Sequence, residues 1–303
     1  MVRLEDIATE QRNMRSNHLD EMTALEIATL INEEDHKIAP AIRLILPRIA
    51  KAIDWITKQL ANGGRLFYLG AGTSGRLGIL DAAECPPTYS TPPELVQGII
   101  AGGTPAIFLA QEGAEDSPQL AEDDLKSHAL TSRDVLVGIA ASGRTPYVLG
   151  GLQYAASIDV PTIAVTCNPD SPISKLAAID LTVFVGPEVV TGSTRMKAGT
   201  ATKMILNMLS TGAMIRLGKV YRNLMVDVKA SNEKLQERSR RIVMEATECS
   251  RREAIDALEK ANGSAKLAIF QLLSHLPLDD ARNYLVKAHG RIGDALQHLP
   301  RAT

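Results

Sequence analysis

The sequence predicts an α/β protein: a parallel sheet flanked by helices, with further helices before it and a small helical domain after it. Five short apolar runs, each bounded by turn residues, alternate with helical patterns from residue 65 to about 185, and the stretches on either side are helical throughout. Parallel neighbours need a crossover long enough to hold a helix, so this alternation reads as a parallel sheet. The chain has 303 residues and is 45% hydrophobic, enough for one large core and a smaller appendage.

The elements follow in order. Residues 24–60, "ALEIATLINEEDHKIAPAIRLILPRIAKAIDWITKQL", carry Ile and Leu at three- and four-residue spacing, an apolar stripe on helices that "ANGG" at 61–64 then stops. The strands are "RLFYL" from 65, "LVQGIIA" from 95, "DVLVGIA" from 134, "PTIAVT" from 161 and "DLTVFV" from 180. A long helix spans about 194–217, and beyond it the composition turns charged and helical, with the Ser and Glu of a capping box in "SRRE" at 250–253. That last region holds a weak repeat, "ALEKANG" ending at Gly263 and "YLVKAHG" ending at Gly290, each glycine placed between two helices. The expected domains are an N-terminal helical segment at 1–56, an α/β domain at 57–220 and a helical domain at 221–303.

A formal net charge of -2 provides no overall basic field for nucleic acid, which leaves small-molecule chemistry as the expectation. Cys85, Cys167 and Cys249 are far apart, odd in number and without a CxxC pair, as suits a reducing cytoplasm. The charged start "MVRLEDIATEQRNMRSNHLDEM" has no secretory pattern, and no apolar run reaches the ~18 residues of a membrane span.

Chemistry concentrates at strand ends. Leu69 leads into "GAGTSGR" and Ile139 into "AASGRT", so one loop type is used twice where open α/β sheets bind ligands. Gly70, Gly72 and Gly75 have dinucleotide-fingerprint spacing, but the region that should supply an acidic residue for the ribose is "CPPTYSTPPEL". Thr73 and Ser74, Ser142 and Thr145, and Ser193 and Thr194 in "TGSTRMKAGTATK" all follow apolar runs near expected helix starts. Helix N-termini offer free N–H groups and partial positive charge, so three such loops can enclose a phosphate monoester; simple N-capping is the alternative for each. Arg76, Arg144, Arg195 and Lys203 lie close enough in sequence to offset anionic charge. No Walker lysine follows the first loop, and the six histidines show neither metal-ligand spacing nor a place in these loops.

The joined motifs "GGRLFYLGAGTSGRLGILDAAECPPTYS", "QEGAEDS" and "TGSTRMKAGTATKMILNMLST" closely resemble the N-acetylmuramic acid 6-phosphate etherases, enzymes built on a sugar isomerase (SIS) domain. The similarity runs from "TEQRN" at 9 to the C-terminal helices. It implies a SIS-type parallel sheet and a cytoplasmic homodimer that needs no cofactor or metal. The implied reaction splits the D-lactyl ether of N-acetylmuramic acid 6-phosphate in cell-wall sugar recycling. The family's two functional glutamates fall on Glu84 and Glu115, and likeness to other SIS domains places phosphate near Thr73, Ser74, Ser142 and Thr145, with Ser193 and Thr194 as a third wall. Ala140 and Ala141 stand where such domains often carry a polar residue.

In the ring-opened sugar the C3 ether oxygen lies β to the C1 aldehyde, so the C2 proton is acidic and elimination is feasible. Two carboxyl groups suffice if one is protonated and the other ionised. Glu84, expected at the end of an apolar helix that Pro86 and Pro87 terminate, is assigned as the acid, and Glu115 as the base. The competing readings are a phosphosugar-binding regulator akin to the glucokinase regulatory protein, an aldose-ketose isomerase and a dinucleotide-dependent oxidoreductase.

Overall fold

The computed structural model of the chain describes residues 7–228 and 233–299, so the first six residues of the charged N-terminal stretch lie outside the described residues. Three 3-10 turns, Ala8–Glu10, Met14–Ser16 and Leu19–Glu21, lead into α1 (Ala24–Asp35), α2 (Ile38–Arg43) and α3 (Leu46–Ala61). Thr23 opens α1 with a capping box closed by Glu26. In α3 the buried residues Ile49, Ala52, Ile56 and Leu60 recur every three or four positions, and Asn62 and Gly63, the latter at φ 79°, end the helix where "ANGG" predicts.

The α/β region follows as β1 (Leu66–Gly70), α4 (Gly72–Tyr89), β2 (Val96–Ile100), α5 (Pro105–Phe108), α6 (Pro118–Ser127), β3 (Val135–Ile139), α7 (Pro146–Ser157), β4 (Thr162–Thr166), α8 (Pro172–Leu176), β5 (Ile179–Thr182) and α9 (Lys197–Arg216). Each of the five apolar runs is a strand, and all pair in parallel in the order β2-β1-β3-β4-β5. Helices cover both faces, because alternate strand residues point opposite ways. Phe67, Leu69, Leu136 and Ala164 share a core with Tyr147, Val148 and Leu152 of α7. Tyr68 faces α4, where a Cβ built on Gly78 would come within 2.7 Å of the Tyr68 Cβ. Only a helix with glycines at its contact face can lie that close to a sheet.

The helix α4 does not stop at the prolines as the sequence predicts; it passes through Pro86 and Pro87 to Tyr89. Each proline removes one N–H from the ladder. The last turn still closes, with Ser90 N donating to Pro86 O at 3.0 Å, and Cys85 and Tyr89 are buried. Local proline chemistry is thus overridden by the burial of the side chains on either side.

The chain forms two compact units, one of residues up to 83 with 93–210, the other of 84–92 with those from 211 onward. In the second, a two-stranded antiparallel ribbon of β6 (Val220–Tyr221) and β7 (Leu224–Met225) precedes α10 (Glu233–Thr247), α11 (Arg251–Lys260), α12 (Ala265–Ser274), α13 (Leu278–Lys287) and α14 (Ile292–Gln297). The Ser250 and Glu253 capping box opens α11, as "SRRE" predicts. The weak sequence repeat is a structural one. Asn262 and Gly263 after α11, and His289 and Gly290 after α13, all have positive φ, and the glycine N–H groups return to Leu258 O at 2.8 Å and Leu285 O at 2.7 Å. Ala254, Ala261, Ala268, Ala281, Ala288 and Ala295 are buried in one core. Among the described residues, no helix is long and apolar enough to cross a membrane.

Candidate active site

The strands β1 and β3 are neighbours, with Gly70 beside Ile139 at their carboxyl ends, yet the chain leaves β1 toward one sheet edge and β3 toward the other. Loops that diverge from adjacent strands leave a crevice between them, the usual ligand position in open α/β sheets. The paired "SGR" loops emerge there side by side.

Glycine geometry shapes the first loop. A Cβ on Gly70 would lie 2.7 Å from Gly75 N, one on Gly75 would lie 2.6 Å from Ile100 Cγ1, and Gly72 has φ 51°. Together they press the start of α4 onto the strand ends. The first backbone bond of α4 runs from Gly75 N to Ala71 O at 3.2 Å, so the N–H groups of Gly72, Thr73 and Ser74 precede the hydrogen-bond ladder. That helix start suits an anion. Thr73 and Ser74 sit inside its first turn.

In the second loop Thr145 occupies the N-cap position of α7, but its side chain makes no capping bond, and Pro146 follows it. Ser142 Oγ accepts from Arg144 N at 3.3 Å. Among the described residues, the Arg144 Nε is buried without a hydrogen-bond partner. Gly143, at φ 68°, is packed so closely that a Cβ would fall 2.2 Å from Ser171 Oγ.

The third hydroxyl pair departs from expectation. Ser193 and Thr194 lie well beyond the end of β5 at Thr182, and the N-terminus of α9 is already occupied. Lys197 N and Ala198 N donate to the Glu188 carboxylate at 3.0 and 2.9 Å, Gly199 N to Thr194 O at 2.9 Å, and Thr200 N to Met196 O at 2.8 Å. This helix start therefore has no N–H groups to offer a phosphate; a protein carboxylate and carbonyls hold them, leaving the hydroxyls. The turn is nevertheless near the first loop, since a Cβ on Gly199 would lie 3.4 Å from Thr194 O and 3.6 Å from Thr73 Cγ2.

Glu115 is in a 3-10 turn, Ala114–Asp116, entered through Gly113 at φ 76°, and Ser117 then caps α6 by accepting from Leu120 N at 3.2 Å. A cavity of about 170 Å³ brings Glu115 together with Ala71, Gly72, Arg76 and Glu112. Arg76 is partly committed: its Nε and Nη2 donate to Ile107 O and Ala106 O, both at 2.8 Å, tying α4 to the segment that leads to Glu115. Arg195 and Lys203 are exposed. Glu84 is also exposed, before the last turn of α4, where the sequence predicts an apolar setting for it.

Sequence reasoning passed over the buried charges. Lys197 Nζ donates to Glu34 Oε2 at 2.6 Å, and Lys37 Nζ to Glu34 Oε1 at 2.6 Å. Burial by itself would raise the Glu34 carboxyl, but the hydrogen bonds and charges of the two lysines outweigh it and hold the group at about 2. Burial pushes Glu188 above the usual carboxylate range against the pull of its two amide donors. Burial, with Glu188 nearby, takes the Cys167 thiol up to about 12, which makes it unreactive. Asp81 is buried too, accepting from Tyr68 Oη at 2.8 Å, Asn207 Nδ2 at 2.7 Å and Ser210 Oγ at 3.1 Å. The available signal was Lys197 itself, a cation where a helix start disfavours one.

Comparison with known families matches residues 48–156 to the glucokinase regulatory protein N-terminal SIS domain, 117–212 to the SIS domain and 222–268 to the C-terminal lid domain of glucokinase regulatory protein. Among solved structures, a phosphoheptose isomerase from Francisella tularensis is similar at 17% identity and a TM-score of 0.48, covering 64% of this chain and 100% of that one. An N-acetylmuramic acid 6-phosphate etherase from Edwardsiella ictaluri is 59% identical, covering 97% of this chain and 98% of its own. One from Clostridium beijerinckii is 56% identical, covering 98% of this chain and 97% of its own. A likeness of that depth along nearly the whole length of both chains, over a SIS-type sheet with its loops at the switch point, means that this chain belongs to the N-acetylmuramic acid 6-phosphate etherases.

Proposed function

We propose that the chain cleaves the D-lactyl ether of N-acetylmuramic acid 6-phosphate by elimination and hydration, giving N-acetylglucosamine 6-phosphate and D-lactate. The single observation of geometry that carries this is the cavity in which Glu115 meets Ala71 and Gly72 at the open start of α4. A phosphate held by the N–H groups of Gly72, Thr73 and Ser74, with the Thr73, Ser74, Ser142 and Thr145 hydroxyls around it, brings the sugar within reach of a carboxylate. Ser193 and Thr194 add hydroxyls alone. The sugar-phosphate domain is taken as 57–220, between the helical segments 1–56 and 221–303.

Glu115 takes the C2 proton, electrons move into the C2–C3 bond, and the C3–O bond breaks as the lactate oxygen is protonated by Glu84. Glu115 then passes that proton to solvent and takes one from the water that adds at C3 of the unsaturated aldehyde, while C2 regains a proton and Glu84 is reprotonated from solvent. The enzyme acts in the cytoplasm, in cell-wall sugar recycling, as a homodimer; exposed Leu25 and Leu44 on the N-terminal helices favour association.

D-lactate release from N-acetylmuramic acid 6-phosphate tests this without added metal or nucleotide. Folded Glu84→Gln and Glu115→Gln are each expected to lose about 10²–10⁴-fold in kcat, the range general acid–base catalysis supplies. Binding of the sugar phosphate by the native protein without lactate release would overturn the etherase reading in favour of a phosphosugar sensor.

A further inference from the structure

Lys197 is a fully buried ammonium on the first residue of α9, where both the helix dipole and desolvation oppose it. Two buried carboxylates answer it from different parts of the chain. Glu34, from α1, accepts from its Nζ at 2.6 Å, while Glu188, from the segment after β5, accepts from its backbone N at 3.0 Å. Glu34 is 1% exposed and Glu188 0%. Outside this centre the N-terminal stretch holds the same region: Asn13 Nδ2 donates to Pro187 O at 3.4 Å, Ala8 N to Asn168 Oδ1 at 3.0 Å, and the Glu10 carboxylate lies 3.0 Å from where a Cβ on Gly192 would be.

A buried ion pair is a weak way to stabilise a fold, because desolvation offsets the attraction and apolar side chains of similar size fill the space as well. What it does supply is one arrangement in place of several. The element held in place here is the turn directly before Lys197, which carries Ser193 and Thr194 and whose Thr194 O lies beside Gly199, next to the Thr73 methyl group.

We infer that Glu34, Lys197 and Glu188 are positioning residues that set the Ser193–Thr194 hydroxyls against the phosphate cradle at Thr73, and so govern substrate binding without touching the substrate. The inference rests on that turn being a wall of the sugar-phosphate site.

The test measures steady-state lactate release by the full chain carrying Glu34→Leu with Lys197→Met, beside Ser193→Ala with Thr194→Val, with folding followed by circular dichroism. Both pairs are expected to raise KM about tenfold while kcat stays within about threefold, the pattern of lost uniform binding. A raised KM for the hydroxyl pair alone overturns the inference, since the ion network is then structural only. A raised KM for the network pair alone overturns the reading of the turn and the inference with it. Should the apolar pair fail to fold, Glu34→Gln keeps the side-chain shape and carries the same comparison. If the native chain binds the sugar phosphate but releases no lactate, the etherase reading fails separately, and Kd values from calorimetry replace KM with the same expected tenfold rise.

Discussion

At Gly143 two requirements meet that no other residue satisfies together: φ of 68° and a Cβ position 2.2 Å from Ser171 Oγ. Gly143→Ala is expected to destabilise the chain by about 1–3 kcal/mol from backbone strain and overpacking, and to raise KM through the second loop. Denaturant unfolding and lactate kinetics on the same variant check both. Glu34 makes a prediction in pH. Its carboxyl sits at about 2 in the fold against an ordinary 4.5, so the unfolded chain takes up the proton first. This pH-dependent stabilisation is full well above pH 4.5 and is lost as pH falls toward 2. Glu188, raised by burial, acts in the opposite sense by costing stability at neutral pH, so the two must be separated by substitution. Stability measured against pH for Glu34→Gln should lose the Glu34 contribution to the acid slope; an unchanged slope contradicts the assignment.

The helices carry predictions of their own. In α4, Pro86 and Pro87 interrupt the ladder, so Pro87→Ala, at an exposed position, is expected to raise stability by roughly 1–3 kcal/mol. Thermal unfolding measures it, and a lower kcat in the same variant would mark the interruption as serving Glu84. Ser250→Ala removes the cap of α11 and is expected to cost about 1 kcal/mol, seen as faster hydrogen exchange in α11. The elements were the most legible part of the sequence. Strands buried on both faces read as unbroken apolar runs, and "ANGG" and "SRRE" are stop and start signals whose chemistry is local. The end of α4 was illegible because burial of Cys85 and Tyr89, a tertiary effect, outweighs two prolines.

At the scale of the whole molecule, each compact unit has its own buried core: the sheet with its helices in one, the duplicated helix pairs in the other. The proposed homodimer predicts a sedimenting mass about twice the 32.6 kDa of the chain, and a single-chain mass at micromolar concentration would count against it.

The sequence by itself determined the parallel sheet and the repeated "SGR" loop at two strand ends, because each depends on short-range patterns of polarity and glycine. Only the tertiary structure decided that β1 and β3 are neighbours, which puts the two loops together, and that Arg76 and Glu115 line one cavity beside the start of α4. It alone showed that the start of α9 is already filled by Glu188. Glu34 and Lys197 pair at 2.6 Å across 163 positions of sequence. Strand order and buried charge pairing are set by contacts between distant segments, and no local pattern of residue types records which distant partner a strand or a charge will meet.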